Sequence, residues 1–264
     1  MQITSPTDFA KIADLLLAAR RDGRALPPLS AAERPKTLAE GYAIQALVSK
    51  AMGEPVTGWK IGATAKLVQE KFGTDRPFIG PLFATTTYPS GAEIPADKLQ
   101  HKKIECEFAF RLNHPLHVRA EPYTQAEIVT ACDALIPTIE VVSPRFAAIP
   151  FGEAPTAIAD WGVNGAIVLG KPITNAWKDV DLALHRVQLT VDDALVAEGT
   201  GAAVLGNPLV SLTWAVEDLR QRGMSLAAGT LISTGSMTGM TDVALNQPVI
   251  ANFGSFGLVE ITFV

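Results

Sequence analysis

Lys-Ile-Glu-Cys-Glu-Phe-Ala-Phe-Arg-Leu (103–112) is the stretch of sequence that decides the fold of this chain. Its apolar and aromatic residues predict a buried strand, Lys103–Leu112, near the centre of a β-sheet. Glu105 and Glu107 are two positions apart in that strand, so their side chains point to the same face. Because burying an unpaired carboxylate is costly or forces its protonation, the pair indicates a bound cation.

A third glutamate, Glu140, lies in another apolar stretch, Ile-Pro-Thr-Ile-Glu-Val-Val (136–142), which predicts a strand over Pro137–Val142. Three carboxylates favour a hard ion such as Mg²⁺, Mn²⁺ or Ca²⁺ over zinc. They leave coordination positions for water or a chelating substrate, as is typical of a catalytic ion. The alternative interpretation is three solvated glutamates on exposed strand faces. It suits Glu140 alone, but it fits poorly with Glu105 and Glu107 sharing one face of an apolar strand.

Four helices are predicted outside these strands. The first has Ser5 as its cap and ends before Gly23, and the second covers Leu38–Met52. Two more, Thr124–Leu135 and Pro208–Arg222, interrupt a series of short strands separated by glycine and proline.

Runs of strands with few helices between them predict an α+β fold with a mixed or largely antiparallel sheet. We predict a single domain, 1–264, in which a helical N-terminal region (1–55) packs on a β-rich catalytic core (56–264). The remaining predicted strands are Val56–Ile61, Val163–Leu169, Arg186–Val191, Leu195–Glu198, Thr230–Thr234 and Leu258–Val264.

The composition argues against several classes of protein. The 264 residues are 48% hydrophobic, which predicts a sizeable core rather than disorder. A formal net charge of −5 argues against a nucleic-acid partner. No segment approaches the ~20 apolar residues of a membrane span. The two cysteines, Cys106 and Cys132, form no motif and favour a reduced, cytoplasmic protein; Cys106 faces away from the two glutamates and is interpreted as core.

Lys60 lies between apolar residues in Thr-Gly-Trp-Lys-Ile-Gly (57–62). One interpretation is an exposed lysine that extends from a strand edge into water. The flanking glycines and apolar neighbours favour another, in which Lys60 lines a cleft. There it would pair with a substrate carboxylate or transfer a proton.

Six motifs follow one another along the chain: Gly-Trp-Lys-Ile-Gly-Ala-Thr (58–64), Phe-Ile-Gly-Pro-Leu-Phe (78–83), Lys-Ile-Glu-Cys-Glu (103–107), Ile-Pro-Thr-Ile-Glu-Val-Val (136–142), Gly-Thr-Gly-Ala-Ala-Val-Leu-Gly-Asn-Pro (199–208) and Gly-Thr-Leu-Ile-Ser-Thr-Gly-Ser (229–236). As an ordered set they resemble the 2-keto-4-pentenoate hydratase/4-oxalocrotonate decarboxylase family of the fumarylacetoacetate hydrolase superfamily. This resemblance implies a β-rich roll or barrel-like core with an N-terminal helical region. It also implies homo-oligomers, and it leaves open association with a partner enzyme of the same pathway.

The resemblance implies a small 2-keto acid as substrate and Mg²⁺ or Mn²⁺ as cofactor. Lys60 matches the active-site lysine of the family, and Thr234 and Gly235 match a segment near the carboxylate end of the substrate. The three family glutamates that bind the metal match Glu105, Glu107 and Glu140.

Two departures from the family pattern affect the expected reaction. Hydratases of the family typically read Pro-Asp-Phe-Gly or Pro-Asp-Tyr-Gly where this chain reads Pro-Phe-Ile-Gly (77–80). Phe78 thus replaces the aspartate that would act as a base for water. An apolar residue at this place is more like the decarboxylases and is expected to contact the substrate. Asp160, which the resemblance places among the catalytic residues, is retained. Trp161 replaces a polar residue that can line the pocket, which implies either a changed substrate or a structural accommodation.

The resemblance thus implies a metal-dependent lyase that adds water to 2-hydroxypenta-2,4-dienoate in the degradation of aromatic compounds. The alternative is a 4-oxalocrotonate decarboxylase, which Phe78 favours. A carbon–carbon bond hydrolase or tautomerase of the superfamily is a further alternative, although no histidine lies near the motif where such hydrolases carry one. A non-catalytic assembly subunit is the last, and the retained glutamates and Lys60 count against it.

Overall fold

A computed structural model describes residues 6–174 and 176–264. Ser5, the predicted cap of the first helix, lies outside the described residues. Within these ranges the α-helices are Pro6–Asp22 (α1), Leu38–Met52 (α2), Lys66–Phe72 (α3), Gln125–Ala131 (α4), Ala154–Ala159 (α5) and Pro208–Gln221 (α6). The strands are Val56–Gly62 (β1), Phe78–Phe83 (β2), Thr87–Pro89 (β3), Ala92–Ile94 (β4), Lys103–Leu112 (β5), Cys132–Val142 (β6), Asn164–Leu169 (β7), Arg186–Val191 (β8), Ala194–Thr200 (β9), Leu231–Ser236 (β10), Thr241–Asp242 (β11), Val249–Asn252 (β12) and Leu258–Phe263 (β13).

The strands form two mixed sheets. The larger sheet has the order β2-β1-β10-β5-β6-β7-β3, with β11 also paired to β5. Its β1–β10 and β3–β7 pairs are parallel and its other pairs are antiparallel. Because β2 also contacts β7, this sheet curls into a half-barrel. The smaller sheet has the order β4-β13-β12-β8-β9. The α+β prediction is confirmed.

The two faces of β5 have different roles. Cys106, Phe108 and Phe110 point into the main hydrophobic core, which also contains apolar residues of α6 and of the smaller sheet. Glu105 and Glu107 alternate with them and point to the inner face of the curled sheet. The prediction that Cys106 faces away from the glutamates is confirmed, and β5 has the bounds that the sequence predicts.

The N-terminal helices pack on the outside of the curled sheet. Helix α2 begins with a capping box formed by Thr37 and Glu40 and ends at Gly53, which has a φ of 77°. Apolar residues of α1 and α2 form one cluster with Phe83 of β2 and with Trp161. That the chain is a single domain stays a prediction. Among the described residues, no helix is long and apolar enough to cross a membrane.

The predicted helix Thr124–Leu135 is wrong in its last four residues, 132–135. Thr124 caps the helix through a capping box with Glu127, but the helix ends at Ala131. From Cys132 onward the chain is strand β6, because its backbone pairs with β5, where Leu135 lies opposite Phe110. Pairing with a central strand overrides the local helical pattern.

Candidate metal centre

The pairing of β5 with β6 brings the three glutamates together. Glu105 lies directly opposite Glu140, and Glu107 lies opposite Thr138. One carboxylate oxygen from each glutamate lies within 4.8 Å of the corresponding oxygens of the other two. Glu107 and Glu140 are fully buried, whereas Glu105 is half-buried. The cluster that the sequence predicts from two separate stretches is therefore one site in the fold.

Glu107 is held by one of its two oxygens. Its Oε2 accepts hydrogen bonds from the Ser233 hydroxyl at 2.5 Å and from the Gly235 backbone N–H at 3.0 Å. Its Oε1 is buried and has no hydrogen-bond partner. Gly235 has a φ of 107°, and a Cβ there would lie 2.4 Å from the Thr64 hydroxyl oxygen, so only glycine fits. The carboxylate is thus oriented while one oxygen stays available to a ligand.

Glu140 is arranged in the same way. Its Oε1 lies 2.9 Å from the ammonium nitrogen of Lys60 and accepts a hydrogen bond from the Asn164 amide at 3.0 Å. Its Oε2 is buried without a partner. Lys60 also donates to the Gly162 carbonyl at 3.0 Å, and its side chain is only 2% exposed. The interpretation of Lys60 as an exposed surface lysine is therefore wrong.

When all three carboxylates are ionised, the charges of this cluster do not balance without a ligand. Burial and the charge of Glu140 raise the pKa of Glu105 to about 7, and burial with both neighbouring carboxylates raises the pKa of Glu107 well above its usual range. Burial lowers the pKa of Lys60, but the three carboxylates outweigh it and leave that pKa raised. Three carboxylates beside one ammonium leave two negative charges uncompensated. One divalent cation supplies that charge and a partner for both unpaired oxygens, so these residues fit a hard divalent ion.

A cleft of about 300 Å³ leads to the cluster and is lined by Lys60 and Glu105. One wall is apolar, with Phe78 standing edge-on to Phe72 at a ring separation of 5.3 Å. The polar residues Thr64, Ser236 and Thr238 also line the cleft. The structure therefore brings Phe78 together with Lys60 and the glutamates, as a substrate contact would require.

Thr234 and Gly235 do not line this cleft among the described residues. The Thr234 hydroxyl donates to the Phe108 carbonyl at 2.8 Å, on the face of the sheet opposite the glutamates. Gly235 contributes its backbone N–H to Glu107. In this structure both residues therefore support β10 and the carboxylate of Glu107.

Asp160 and Trp161 also lie away from the cleft. Asp160 is buried, and its carboxylate accepts hydrogen bonds from the Arg20 guanidinium at 2.6 Å and from the Arg145 backbone N–H. Burial raises the pKa of Asp160, and the charge of Arg20 opposes that rise. The Trp161 ring contacts Phe83 at 4.5 Å and lies under the Arg20 guanidinium at 3.8 Å. Both side chains thus belong to the contact with the N-terminal helices.

The backbone after Asp160 turns through left-handed conformations. Trp161, Gly162 and Val163 have φ values of 55°, 62° and 64°, which is a rare run for a tryptophan and a β-branched valine. The turn lies against β2, because a Cβ at Gly80 would lie 1.9 Å from the Trp161 carbonyl oxygen. This reversal directs the Gly162 carbonyl to Lys60 and places Asn164 beside Glu140.

Sequence reasoning missed Ser233, Asn164 and Arg20. Ser233 carries a weak signal, because a polar residue flanked by apolar ones in a predicted strand requires a buried partner. Asn164 and Arg20 carry no such signal. Their partners lie 24 and 140 residues away in the sequence, and only the fold brings them together.

Comparisons with known proteins agree with this geometry. A 2-keto-4-pentenoate hydratase from Burkholderia vietnamiensis is 32% identical over 265 residues, which cover 99% of each chain. A 4-oxalocrotonate decarboxylase from Pseudomonas putida is 30% identical over 236 residues, 86% of each chain. No family model matches the chain.

Solved structures give the same result. The 4-oxalocrotonate decarboxylase from Pseudomonas putida G7, complexed with magnesium and adipate, superposes with a TM-score of 0.91 over all of both chains at 26% identity. A fumarylpyruvate hydrolase from Pseudomonas aeruginosa, with Mn²⁺ and pyruvate, gives 0.60 over 80% of this chain and 91% of its own. At 13% identity that likeness shows the fold alone, and together with the decarboxylase superposition it confirms the predicted type of fold. Because these curated relatives are 30–32% identical to the chain over 86–99% of its length, the chain belongs to the 2-keto-4-pentenoate hydratase/4-oxalocrotonate decarboxylase family.

Proposed function

We propose that this protein is a divalent-metal-dependent lyase that adds water to a small unsaturated 2-keto acid, with 2-hydroxypenta-2,4-dienoate as the first substrate to test. The observation that supports this most directly is the pair of buried, unpartnered oxygens on Glu107 and Glu140 next to Lys60. A cleft of about 300 Å³ at this position suits a small molecule. The hydratase relatives, which match almost the whole chain, support hydration in a pathway of aromatic-compound degradation.

We propose that Glu105, Glu107 and Glu140 hold Mg²⁺ or Mn²⁺. When bound, the ion would supply Lewis-acid polarisation of the 2-oxo group. The related decarboxylase bound to magnesium and adipate supports this assignment. Ser233 and Gly235 hold Glu107, while Lys60 and Asn164 hold Glu140, so the free oxygens keep their direction without the ion.

Lys60 is the group of this chain that we propose to act on the substrate. An ammonium has three donors, and two of them are engaged by Glu140 and the Gly162 carbonyl. The remaining donor is available to the cleft, where it would anchor a carboxylate or deliver a proton. For Asp160 we propose a positioning role, because it fixes the turn that carries Gly162.

Decarboxylation of 4-oxalocrotonate is the second candidate, and Phe78 is the observation that favours it. Its ring forms part of an apolar cleft wall with Phe72. The titratable groups among the described residues that line the cleft are Lys60 and Glu105, and the latter is a proposed metal ligand. Such a wall offers water no base, and it favours loss of a poorly solvated carboxylate as CO₂.

The experiment that tests both reactions uses the purified protein with Mg²⁺ and, separately, each of the two acids. Ultraviolet absorbance follows loss of the substrate, and a coupled assay follows CO₂. Loss of the dienoate without CO₂ supports hydration, and CO₂ from 4-oxalocrotonate supports decarboxylation. No reaction with either acid, in protein that binds the metal, would contradict the proposal.

We also propose that the chain forms homo-oligomers and works in the cytoplasm. The edge strand β9 exposes 56% of Leu195 and 46% of Val196, and an apolar sheet edge is suited to contact between chains. The free, buried thiols of Cys106 and Cys132 suit a reducing compartment. Sedimentation of the wild type and of Leu195→Asp tests the oligomer, and co-elution tests association with a partner enzyme of the same pathway.

A further inference from the structure

A second cavity, of about 510 Å³, lies on the other side of the turn that carries Trp161. It is bounded by the end of α1, by the segment around β4 and by the start of β7, and it shares no lining residue with the metal cleft. We call it the arginine cavity, because Arg20 and Arg145 line it together with Trp161.

Each of these three residues has one buried N–H group without a partner: Nε of Arg20, Nε of Arg145 and Nε1 of Trp161. Their side chains are well buried, with 9%, 3% and 1% of their surface exposed. Leaving such donors unpaired is costly, and each case requires an explanation such as a bound ion or water.

The other guanidinium nitrogens are engaged, which fixes both arginines in place. Arg20 donates to Asp160 and to the Asn164 carbonyl at 3.0 Å. Arg145 donates to the Ser143 hydroxyl at 3.0 Å and to the Lys98 carbonyl at 2.8 Å. The unpartnered Nε–H groups of the two arginines are therefore held in position and cannot turn towards another protein group without breaking these bonds.

The charges around the cavity favour an anion. Four cationic residues line it, against two acidic ones. One of the acids, Glu54, accepts a hydrogen bond from the Thr85 hydroxyl. Asp160 pairs with Arg20 from outside the cavity and leaves a net positive charge. Burial, together with the nearby charge of Arg145, lowers the pKa of Arg20 to about 9 despite that pair. The cationic residues are Arg20, Arg21, Lys98 and Arg145, and the acidic ones are Glu54 and Asp97.

We propose that the arginine cavity binds a small oxyanion of the carboxylate or phosphate class. Oxyanion oxygens only accept hydrogen bonds, so such a ligand would offer acceptors to the N–H donors at this cavity and neutralise the excess charge. An apolar ligand would leave the three donors unpaired. The site uses different residues from the metal centre and does not depend on the proposed function.

Isothermal calorimetry on the full-length chain, freed of metal by chelation, tests the site with sodium phosphate and sodium acetate as separate titrants. We expect saturable binding of at least one anion with one site per chain. Tighter phosphate binding would assign the phosphate class, and tighter acetate binding would assign the carboxylate class. Absence of saturable binding of both anions would overturn the proposal.

Three variants identify where the anion binds. Lys98→Glu reverses an exposed charge at the cavity, and Arg145→Gln removes a buried donor. Each should weaken binding by about tenfold or more, as expected for a lost charged interaction. Lys60→Met changes the metal cleft alone and should leave anion affinity unchanged. Binding that survives Lys98→Glu but is lost in Lys60→Met would place the anion in the metal cleft and overturn the proposal, even if Arg145→Gln failed to fold.

Discussion

Replacement of Glu107 by glutamine tests the charge balance of the metal centre most directly. Glutamine has nearly the same shape, and its carbonyl oxygen can keep the hydrogen bonds from Ser233 and Gly235. The change removes one of three crowded negative charges and one of the proposed metal ligands. We therefore expect Glu107→Gln to stabilise the metal-free protein and to abolish its stabilisation by metal.

The size of the first effect follows from the distances. Two carboxylate oxygens within 4.8 Å repel by about 3.5 kcal/mol at an effective dielectric constant of about 20. Glu107 has two such neighbours, and Lys60 offsets roughly one of them, which leaves a relief of about 3 kcal/mol at pH 8. For a chain of this size that corresponds to a rise in Tm of roughly 6–12 °C.

The second effect follows from linkage between binding and folding. A free metal concentration 100 times the Kd stabilises the wild-type fold by about 2.7 kcal/mol. Glu107→Gln lacks a charged ligand and should gain little at the same concentration. Thermal melts by circular dichroism, with EDTA or with excess Mg²⁺ and at fixed protein concentration, measure both effects.

The matched control is Glu260→Gln, which changes an exposed glutamate on β13. It should leave Tm and the metal response at wild-type values. A Glu107→Gln protein that melts below wild type in EDTA and keeps the full response to Mg²⁺ would refute the charge argument. That result would mean that the carboxylate stabilises the fold by itself and does not bind the ion.

Three further predictions concern Lys60, Phe78 and the pH dependence of stability. Lys60→Met should lose nearly all turnover while it still binds Mg²⁺, and normal turnover with the dienoate would contradict the proposed role of Lys60. Phe78→Asp should raise the share of hydration over decarboxylation relative to Phe78→Asn, which has the same size and no base; equal product ratios in the two variants would contradict this. The raised pKa of Glu105, about 7 against 4.5, means that the folded protein holds an extra proton between these values. Tighter proton binding by Glu105 in the folded state stabilises the fold. This contribution is complete below pH 4.5 and is lost as the pH rises through 7. Urea midpoints of the metal-free protein should therefore fall from pH 4.5 to 8, and the midpoint shift caused by Mg²⁺ should be larger at pH 8 than at pH 5.

The parts of the fold that the sequence predicts are those with strong local patterns. Strand β5 has the predicted bounds because it is a long apolar run. Helix α2 has them because Thr37 caps its start and Gly53 follows its end. Strand β2 and the first five residues of β6 were not predicted as strands. In β2, Gly80 and Pro81 weaken the local signal, and in β6 the pattern continues that of helix α4. Pairing with β1 and β5 determines both segments.

For the metal centre, the sequence predicts the charged side chains but not the groups that orient them. Glu105 and Glu107 follow from alternation along one strand, because a carboxylate in an apolar strand requires compensation. The link to Lys60 follows from the resemblance and not from local pattern. Ser233 and Asn164, which hold the glutamates, come from β10 and β7 and depend on sheet order and register.

The roles expected for Asp160 and Trp161 show why a motif predicts this part of the site poorly. A motif describes side chains, whereas here the group that reaches Lys60 is the backbone carbonyl of Gly162. The left-handed turn sends the Asp160 and Trp161 side chains towards Arg20 and sends that carbonyl towards the cleft. Each residue in such a conformation destabilises the folded state by about 1–3 kcal/mol, so surrounding contacts must hold the turn. The ion pair of Asp160 with Arg20 and the close contact with Gly80 provide them. Asp160→Asn should therefore act through the turn: it should lower stability and weaken the hold on Lys60, although its carboxylate never contacts the substrate.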